Sequence, residues 1–147
     1  MTPNDSTDLT REANCMCFRV RRASRAISQH YDAALAPHGL TAPQFSLLSV
    51  LAECGLRSLG QLAKLSTTDR TTLTRNLGLL EKRGLVESAP GVDRRTRRFR
   101  LSPAGRKLQV AAREDWRSVQ AGLEERLGTD RFQRILADLE AVVESLA

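Results

Sequence analysis

A dense group of positive charges lies in the segment DRRTRRFRLSPAGRK, residues 93–107, where seven of the fifteen side chains are arginine or lysine. Guanidinium groups at this density suit a polyanion, because they pair with phosphate oxygens through charge-assisted hydrogen bonds. The charge belongs to one part of the chain: residues 57–107 hold thirteen Lys or Arg against four Asp or Glu, whereas the total net charge is only +6. Protecting a hairpin edge from aggregation needs far fewer charges, so the pattern favours nucleic acid as the partner.

Cysteine and histidine are the other residues that could carry chemistry, and the chain has three and two of them. An odd number of cysteines, Cys15, Cys17 and Cys54, does not form a disulfide framework. If Cys15 and Cys17 both lie on a helix, they point about 200° apart, which argues against a shared metal ion or a bond between them. The sequence shows no Ser or acidic partner that would make His30 or His38 catalytic. We therefore expect no catalytic residue, no metal site and no cofactor.

Helical spacing of apolar residues covers both ends of the chain. A first helix is predicted for residues 11–36, and a second begins after Thr41, its expected N-cap, with Pro43 in its first turn. Ser102 is expected to cap a long helix, and a last helix follows the Gly-Thr-Asp of 128–130. The apolar face of the first helix comprises Cys17, Val20, Ser24, Ile27, Tyr31 and Leu35, and that of the last comprises Phe132, Ile135, Leu136, Leu139, Val142, Val143 and Leu146.

The segments SLGQLAKLS and TTDRTTLTRNLGLLEKRG predict two short helices joined by a tight turn. This arrangement, with a second helix rich in Thr and Arg, is typical of a helix-turn-helix. Thr67 or Thr68 is the expected N-cap of the second helix, and the leucines of that helix face the core. The side away from the leucines is expected to contact DNA bases, and its candidates are Thr68, Arg70, Thr71, Thr72 and Arg75.

Two short strands are predicted directly after these helices, GLVESAP and RRFRLS, with GVDRRT as the turn between them. A helix-turn-helix followed by a β-hairpin is a winged helix, so the fold class is mainly α, an α+β winged helix with helices at both ends. The hairpin, or wing, lies beside the DNA backbone, and its arginines can enter a narrow minor groove. A winged helix used only for protein contact is the alternative from another class, and it predicts few positive charges here. The candidate wing residues are Asp93, Arg94, Arg95, Arg97 and Arg98.

The two terminal helices offer more apolar surface than the central domain can cover. We infer a homodimer formed by these helices; the alternative is that they pack on each other within one chain. The whole unit is then 11–147, with a DNA-binding part at 41–102, dimerisation helices at 11–38 and 103–147, and a disordered segment at 1–10. No apolar run reaches the ~18 residues of a membrane span, and the N-terminus lacks a signal-peptide core, so we expect a cytoplasmic protein without a membrane partner.

The order of these elements, and the words GLTAPQFSLLSVL, LGQLAKLSTTDRTTLTRNLGLLEKRGLV and DRRTRRFRLSPAGR within it, resemble the MarR family of bacterial transcriptional regulators. The resemblance implies an obligate dimer in which each winged helix binds half of a pseudo-palindromic operator in double-stranded DNA. It also implies a repressor that is released by a small aromatic or lipophilic ligand or by oxidation. In that family an Asp orients the arginine that enters the minor groove, so the resemblance gives these roles to Asp93 and Arg95. Arg94 would hold the turn or touch a phosphate, with Arg97 and Arg98 on the backbone.

The segment CFRVRRASRAISQHYDAALAPHGLTAPQFSLL is similar to the organic-hydroperoxide-sensing branch of the same family. There a cysteine followed by Phe is the peroxidatic thiol, and Cys17 with Phe18 holds that place. Tyr31 matches one of the tyrosines that bind the thiol, whereas Arg21 and Ala42 stand at the other two places. The main hypothesis is a ligand-released repressor, and the alternative is a thiol switch at Cys17. If Cys17 is not a sensor, it is a small residue in the dimer seam.

Overall fold

The structure, a computed structural model, describes residues 14–66, 68–91, 93 and 96–147. In chain order its elements are α1 (Met16–Leu35), a short 3-10 turn (Ala36–His38), α2 (Ala42–Cys54), β1 (Arg57–Ser58), α3 (Leu59–Ser66), α4 (Arg70–Lys82), β2 (Val86–Pro90), β3 (Arg97–Leu101), α5 (Pro103–Leu127) and α6 (Thr129–Leu146). The strands form one antiparallel sheet in the order β1-β3-β2. This arrangement confirms the expected winged helix, with helices on both sides of it in the chain. None of the helices in the described ranges is long and apolar enough to cross a membrane.

The predicted starts of α2 and α5 are confirmed by their caps. Thr41 Oγ1 accepts a hydrogen bond from the Gln44 N–H at 3.4 Å, and Gln44 Oε1 accepts one from the Thr41 N–H at 3.1 Å, which together form a capping box. Ser102 Oγ accepts a hydrogen bond from the Gly105 N–H at 3.0 Å and donates one to the Gly84 carbonyl at 2.6 Å. Ser102 therefore fastens the start of α5 to the segment that follows α4.

The first helix is shorter than predicted, and this changes the geometry of its cysteines. α1 begins at Met16, because Cys15 is its N-cap and has extended backbone, with φ −71° and ψ 154°. The Cys15 Sγ accepts a hydrogen bond from the Phe18 N–H at 3.4 Å. The assumption that Cys15 and Cys17 both lie on a helix, about 200° apart, is therefore wrong. Residues 11–13 of the predicted helix lie outside the described residues.

Asp69, and not Thr68, is the N-cap of α4, the second helix of the helix-turn-helix. Its Oδ1 accepts a hydrogen bond from the Thr72 N–H at 2.9 Å, and the side-chain and backbone hydrogen bonds from Thr72 hold the pKa of the Asp69 carboxyl below its ordinary value. A carboxylate is favoured there because it also faces the positive end of the helix dipole. Thr68 Oγ1 instead donates to the Ser66 carbonyl at 3.1 Å. The other candidate cap, Thr67, lies outside the described residues.

The strand β1 is absent from the sequence-based prediction, because two residues are too few to show alternation. Arg57 pairs with Phe99 and Ser58 with Arg98, so β1 adds a third strand to the β2–β3 hairpin. Ser58 also caps α3, since its N–H donates to Gln61 Oε1 at 2.9 Å and its Oγ accepts from the Gln61 N–H at 3.3 Å. The wing is thereby joined to the first helix of the helix-turn-helix.

A leucine-rich core joins α2, α4 and the sheet to the first half of α5. It includes the leucine face predicted for α4, namely Leu73, Leu77 and Leu80. Their burial leaves the opposite side of α4 facing outward. The remaining buried members are Leu35, Leu40, Phe45, Leu47, Leu48, Leu51, Leu62, Leu85, Val86, Phe99 and Ala112.

The apolar stripes predicted on the terminal helices lie largely outside this core. Val20 and Ile27 on α1 are 43% and 41% exposed. Leu139 and Val143 on α6 are 43% and 46% exposed, whereas Phe132 at the start of that helix is buried. Packing within one chain therefore leaves most of both stripes uncovered, which argues against the alternative that the terminal helices cover each other.

Candidate nucleic-acid interface

The candidate base-contacting residues lie on the outward side of α4 and in the turn before it. Arg70, Thr71 and Arg75 are exposed, whereas Thr68 and Thr72 are half-buried. The early turns of α4 therefore present hydroxyl and guanidinium groups to solvent. Such groups can form hydrogen bonds with the edges of base pairs in a major groove.

Thr74 is exposed beside these residues, although it is not among those predicted from the sequence. Its Oγ1 donates a hydrogen bond to the Arg70 carbonyl at 2.7 Å, one helical turn earlier. Arg70 also lies close to α3, because a Cβ placed on Gly60 would be 3.4 Å from its Nη2. The spacing of four residues from Arg70 is the signal that could have placed Thr74 on this side of the helix.

The wing is the β2–β3 hairpin, whose five residue pairs are in antiparallel register. At its turn, the Thr96 N–H donates a backbone hydrogen bond to the Asp93 carbonyl at 2.9 Å. Arg94 and Arg95 lie outside the described residues. Their roles, and the orientation of Arg95 by Asp93, therefore stay predictions.

The other two predicted wing arginines differ in their surroundings. Arg98 is half-buried on β3, and its contact with the DNA backbone stays a prediction. Arg97 is exposed, but its Nη2 donates to both carboxylate oxygens of Glu81, at 2.9 and 3.2 Å, and to Ser88 Oγ at 2.8 Å. Glu81 is not among the residues predicted from the sequence. It lies sixteen residues before Arg97, and no local pattern marks such a pair.

An aromatic cleft lies where α1, α2 and α5 meet. Phe45 and Trp116 stack there, with their ring centroids 6.0 Å apart and an angle of 28° between the ring planes. Both rings line each of two cavities, whose volumes are about 440 and about 210 Å³. Trp116 is the only tryptophan of the chain. The larger cavity is also lined by Ser46, Ser49, Glu53, Gln109, Arg113 and Arg117, and the smaller by Ile27, Ser28, Tyr31, Leu35, Ala42 and Ser46.

A polar junction connects the wall of this cleft to the end of α4. His38 Nε2 lies 2.6 Å from Oδ2 of Asp115, the residue before Trp116. His38 thus has an acidic partner on a distant helix, where no spacing in the sequence marks it. The Arg83 guanidinium, at the end of α4, donates to the Gly39 carbonyl at 2.6 Å. The turn after α1 is thus attached to both α4 and α5.

The structure does not bring together the two residues of the predicted thiol switch within one chain. Cys17 is exposed near the start of α1, where the Arg21 guanidinium donates to its Sγ at 3.5 Å. Tyr31 lies fourteen residues further along the same helix, a distance of about 21 Å at about 1.5 Å per residue. Its hydroxyl donates to Gln120 Oε1, and partial burial raises the pKa of Tyr31.

Comparison with known proteins decides the family. The sequence model of the MarR family matches residues 38–96, from the turn after the first helix to the wing. MosR, a transcriptional regulator of M. tuberculosis solved in complex with DNA, is 39% identical to this chain, with a TM-score of 0.78. The similarity covers 90% of this chain and 98% of MosR. The chain belongs to the MarR family.

Two further solved structures resemble this MarR-family chain over most of its length. CouR, a transcriptional repressor bound to a 23-mer DNA duplex, is 25% identical, with 92% of this chain and 96% of CouR covered and a TM-score of 0.82. BpsR of Bordetella bronchiseptica, whose DNA binding is regulated by 6-hydroxynicotinic acid, is 23% identical, with 89% and 94% covered and a TM-score of 0.81, and shows the fold alone. No curated protein matches the sequence. As a MarR-family protein, the chain is a DNA-binding transcriptional regulator and not an enzyme.

Proposed function

We propose that this MarR-family regulator is a homodimeric repressor of a pseudo-palindromic operator, released when a small aromatic molecule occupies the cleft at Phe45 and Trp116. Each α4 enters a major groove, and each wing lies along the adjacent backbone and minor groove. The proposed DNA contacts are Thr68, Arg70, Thr71, Thr72 and Arg75 before and on α4, and Arg94, Arg95 and Arg98 on the wing. Asp93 orients Arg95, whereas Arg97, the remaining candidate of the wing, is engaged by Glu81 and Ser88.

The observation that carries the DNA contacts is the exposed Arg and Thr side of α4 next to a basic hairpin. An arginine in the early turns of a recognition helix can pair with O6 and N7 of a guanine. Arginines of the wing add phosphate contacts, which raise the affinity for all sequences and weaken as salt concentration increases. Base contacts from α4 and phosphate contacts from the wing therefore supply specificity and affinity separately.

Replacing Arg70 or Arg75 with alanine is expected to lower the preference for the operator over random DNA by ~1–3 kcal/mol, because a guanine contact is lost. The operator is first obtained by selecting bound duplexes from a random pool with wild-type protein. Competition binding then compares the operator with random duplexes. Arg126→Ala, in the last turn of α5, is the matched control for loss of one positive charge. Wild-type preference in both α4 variants would show that this side of α4 does not contact bases.

The exposed stripes of α1 and α6 support the proposed dimer. A two-fold axis between two chains would bury both stripes against their copies. It would also present two copies of α4 to the same side of a duplex. Dimers of this kind bind half-sites one helical turn apart, about 34–36 Å, so a pseudo-palindromic operator fits the symmetry.

The composition of the cleft supports control by an aromatic carboxylate. Phe45 and Trp116 supply ring surfaces for stacking. At the larger cavity the two cations Arg113 and Arg117 outnumber the single carboxylate of Glu53. A volume of about 440 Å³ lies in the range of small-molecule sites. Because Asp115 precedes Trp116 and binds His38, a displacement of Trp116 would be passed to the turn that Arg83 attaches to α4.

A thiol switch at Cys17 is the second candidate, supported by its exposed sulfur and the contact with Arg21. The thiolate of a cysteine is the form that attacks a peroxide, and an exposed sulfur is accessible to one. The first product would be a sulfenic acid next to the exposed stripe of α1. A polar group at that place would disturb a dimer that buries the stripe.

The releasing agent distinguishes the two mechanisms. We expect benzoate-like carboxylates to quench Trp116 fluorescence and to release operator DNA from wild-type and Cys17→Ser protein alike. Stoichiometric organic hydroperoxide is the second agent, and Cys54→Ser is the matched control. The thiol switch would be established instead if hydroperoxide released the DNA and carboxylates did not. This release by hydroperoxide would have to be lost in Cys17→Ser and kept in Cys54→Ser.

A further inference from the structure

A single guanidinium group joins α4 to both strands of the wing. Arg97, the first residue of β3, donates from Nη2 to Glu81 Oε1 at 2.9 Å and to Glu81 Oε2 at 3.2 Å. The same nitrogen donates to Ser88 Oγ on β2 at 2.8 Å. The guanidinium carbon also lies 5.3 Å from the centroid of the buried Phe99 ring. These contacts together are named the Glu81–Arg97 bridge.

The bridge lies at the part of the hairpin that the sheet holds least. β1 pairs with Phe99 and Arg98, and among the described residues the third strand reaches no further along β3. Arg97 is paired with Pro90, which has no N–H to donate. A hairpin of two strands is at best marginally stable in water. Side-chain contacts therefore decide how this end of the wing is oriented relative to α4.

Glu81 has a charge that is unfavourable for its position. It is the only acidic residue within α4, whose sequence is RTTLTRNLGLLEK. On a helix that binds a polyanion, a carboxylate repels the partner. The Glu81 side chain is 24% exposed, compared with 61% for Arg97, and its oxygens are engaged by the wing. The engagement of Glu81 by Arg97 is a geometric contribution that can offset this electrostatic cost.

We propose that Glu81 is a positioning residue for DNA binding, which sets the angle between the wing and α4 through Arg97. Arg97 then supports the wing and does not contact a phosphate. This inference rests on the proposed binding of DNA by α4 and the wing together. Two connected binding elements reach their combined affinity only when both fit the duplex at once. A wing that is held in place before binding loses less conformational freedom on binding.

The test compares Glu81→Gln with Glu87→Gln in binding to the selected operator at fixed salt. Each variant removes one negative charge, but Glu87 pairs with Arg100 across the hairpin, at 3.0 Å, and is not part of the bridge. We expect Glu81→Gln to weaken operator binding about fivefold, as for loss of a partly exposed ion pair. Glu87→Gln should leave the affinity unchanged or raise it slightly.

A second measurement separates positioning from a general loss of stability. The wing should favour A·T-rich flanks, because narrow grooves attract arginine, whereas α4 should determine preference within the half-sites. We expect Glu81→Gln to lose the flank preference and to keep the half-site preference. It should unfold at about the same urea concentration as Glu87→Gln, which also loses one partly exposed ion pair. Arg97→Gln, and the double variant that combines it with Glu81→Gln, should lose as much operator affinity as Glu81→Gln alone. All three remove the same contact between Glu81 and Arg97, so their effects are not additive.

Three outcomes would overturn this role of Glu81. The first is that Glu81→Gln binds the operator more tightly than the wild type, and the second is that the effects of the two substitutions add in the double variant. The third is that Glu81→Gln loses flank and half-site preference equally and unfolds at a lower urea concentration than Glu87→Gln. In each case a wild-type protein that still prefers its operator leaves the proposed function intact. A wild-type protein without preference for any selected duplex would overturn the proposed function itself.

Discussion

Leu139→Asp combined with Val143→Asp is expected to convert the protein into a monomer that no longer binds its operator tightly. Both side chains lie on the exposed apolar stripe of α6, and the proposed dimer buries them. Each aspartate would then be an unpaired charge in an apolar interface, at a cost of about 3–5 kcal/mol. Separate monomers would also bind the operator more weakly, because in a dimer the binding of one half-site raises the effective concentration of the second subunit at the other. Sedimentation at micromolar concentration gives the mass, and operator titration gives the affinity.

The control for this variant lies on the same helix. Ala137→Asp with Ala141→Asp adds the same two charges at the same spacing, at exposed positions on the opposite side of α6. This protein should remain dimeric and bind the operator as the wild type does. A wild-type protein that sediments as a monomer at micromolar concentration would contradict the proposed dimer directly.

Gly105→Ala is expected to lower the free energy of unfolding by about 3 kcal/mol, because the site has no room for a side chain. A Cβ on Gly105 would overlap the Leu85 carbonyl oxygen and lie 2.9 Å from the carbonyl carbon. The obstacle is backbone, so α5 and the start of β2 must separate. The same carbonyl accepts a hydrogen bond from the Ser102 N–H at 3.1 Å, and the α5 cap would be disturbed as well. Urea unfolding at fixed protein concentration measures the loss.

Gly78→Ala is the matched substitution for this measurement. Gly78 lies in the middle of α4, and no atom outside its own helix backbone lies within 4 Å of a Cβ placed there. Alanine should stabilise the helix by about 0.5–1 kcal/mol, because glycine loses more conformational freedom on folding. If Gly105→Ala and Gly78→Ala have the same free energy of unfolding, the close approach of α5 to Leu85 is wrong.

The sequence by itself determined the helices and the two wing strands of this protein and their order, but not the short strand β1. Helices and wing strands follow from apolar spacing, which is a local property. Thr41 and Ser102 were recognisable as caps because the groups that they bind lie three residues away. The clustering of positive charge on the helix-turn-helix and wing was likewise visible without coordinates, and it indicated DNA as the partner.

The tertiary structure alone decided which side chains meet. His38 binds Asp115 across 77 positions, and Tyr31 binds Gln120 across 89, so no spacing in the sequence marks either pair. The same holds for Arg97, which the charge pattern assigned to DNA and which the fold places on Glu81. Packing brings such pairs together only after the core has fixed the helices relative to one another. The sequence therefore specifies the chemistry that the surface carries, and the fold decides which charges are engaged within the chain.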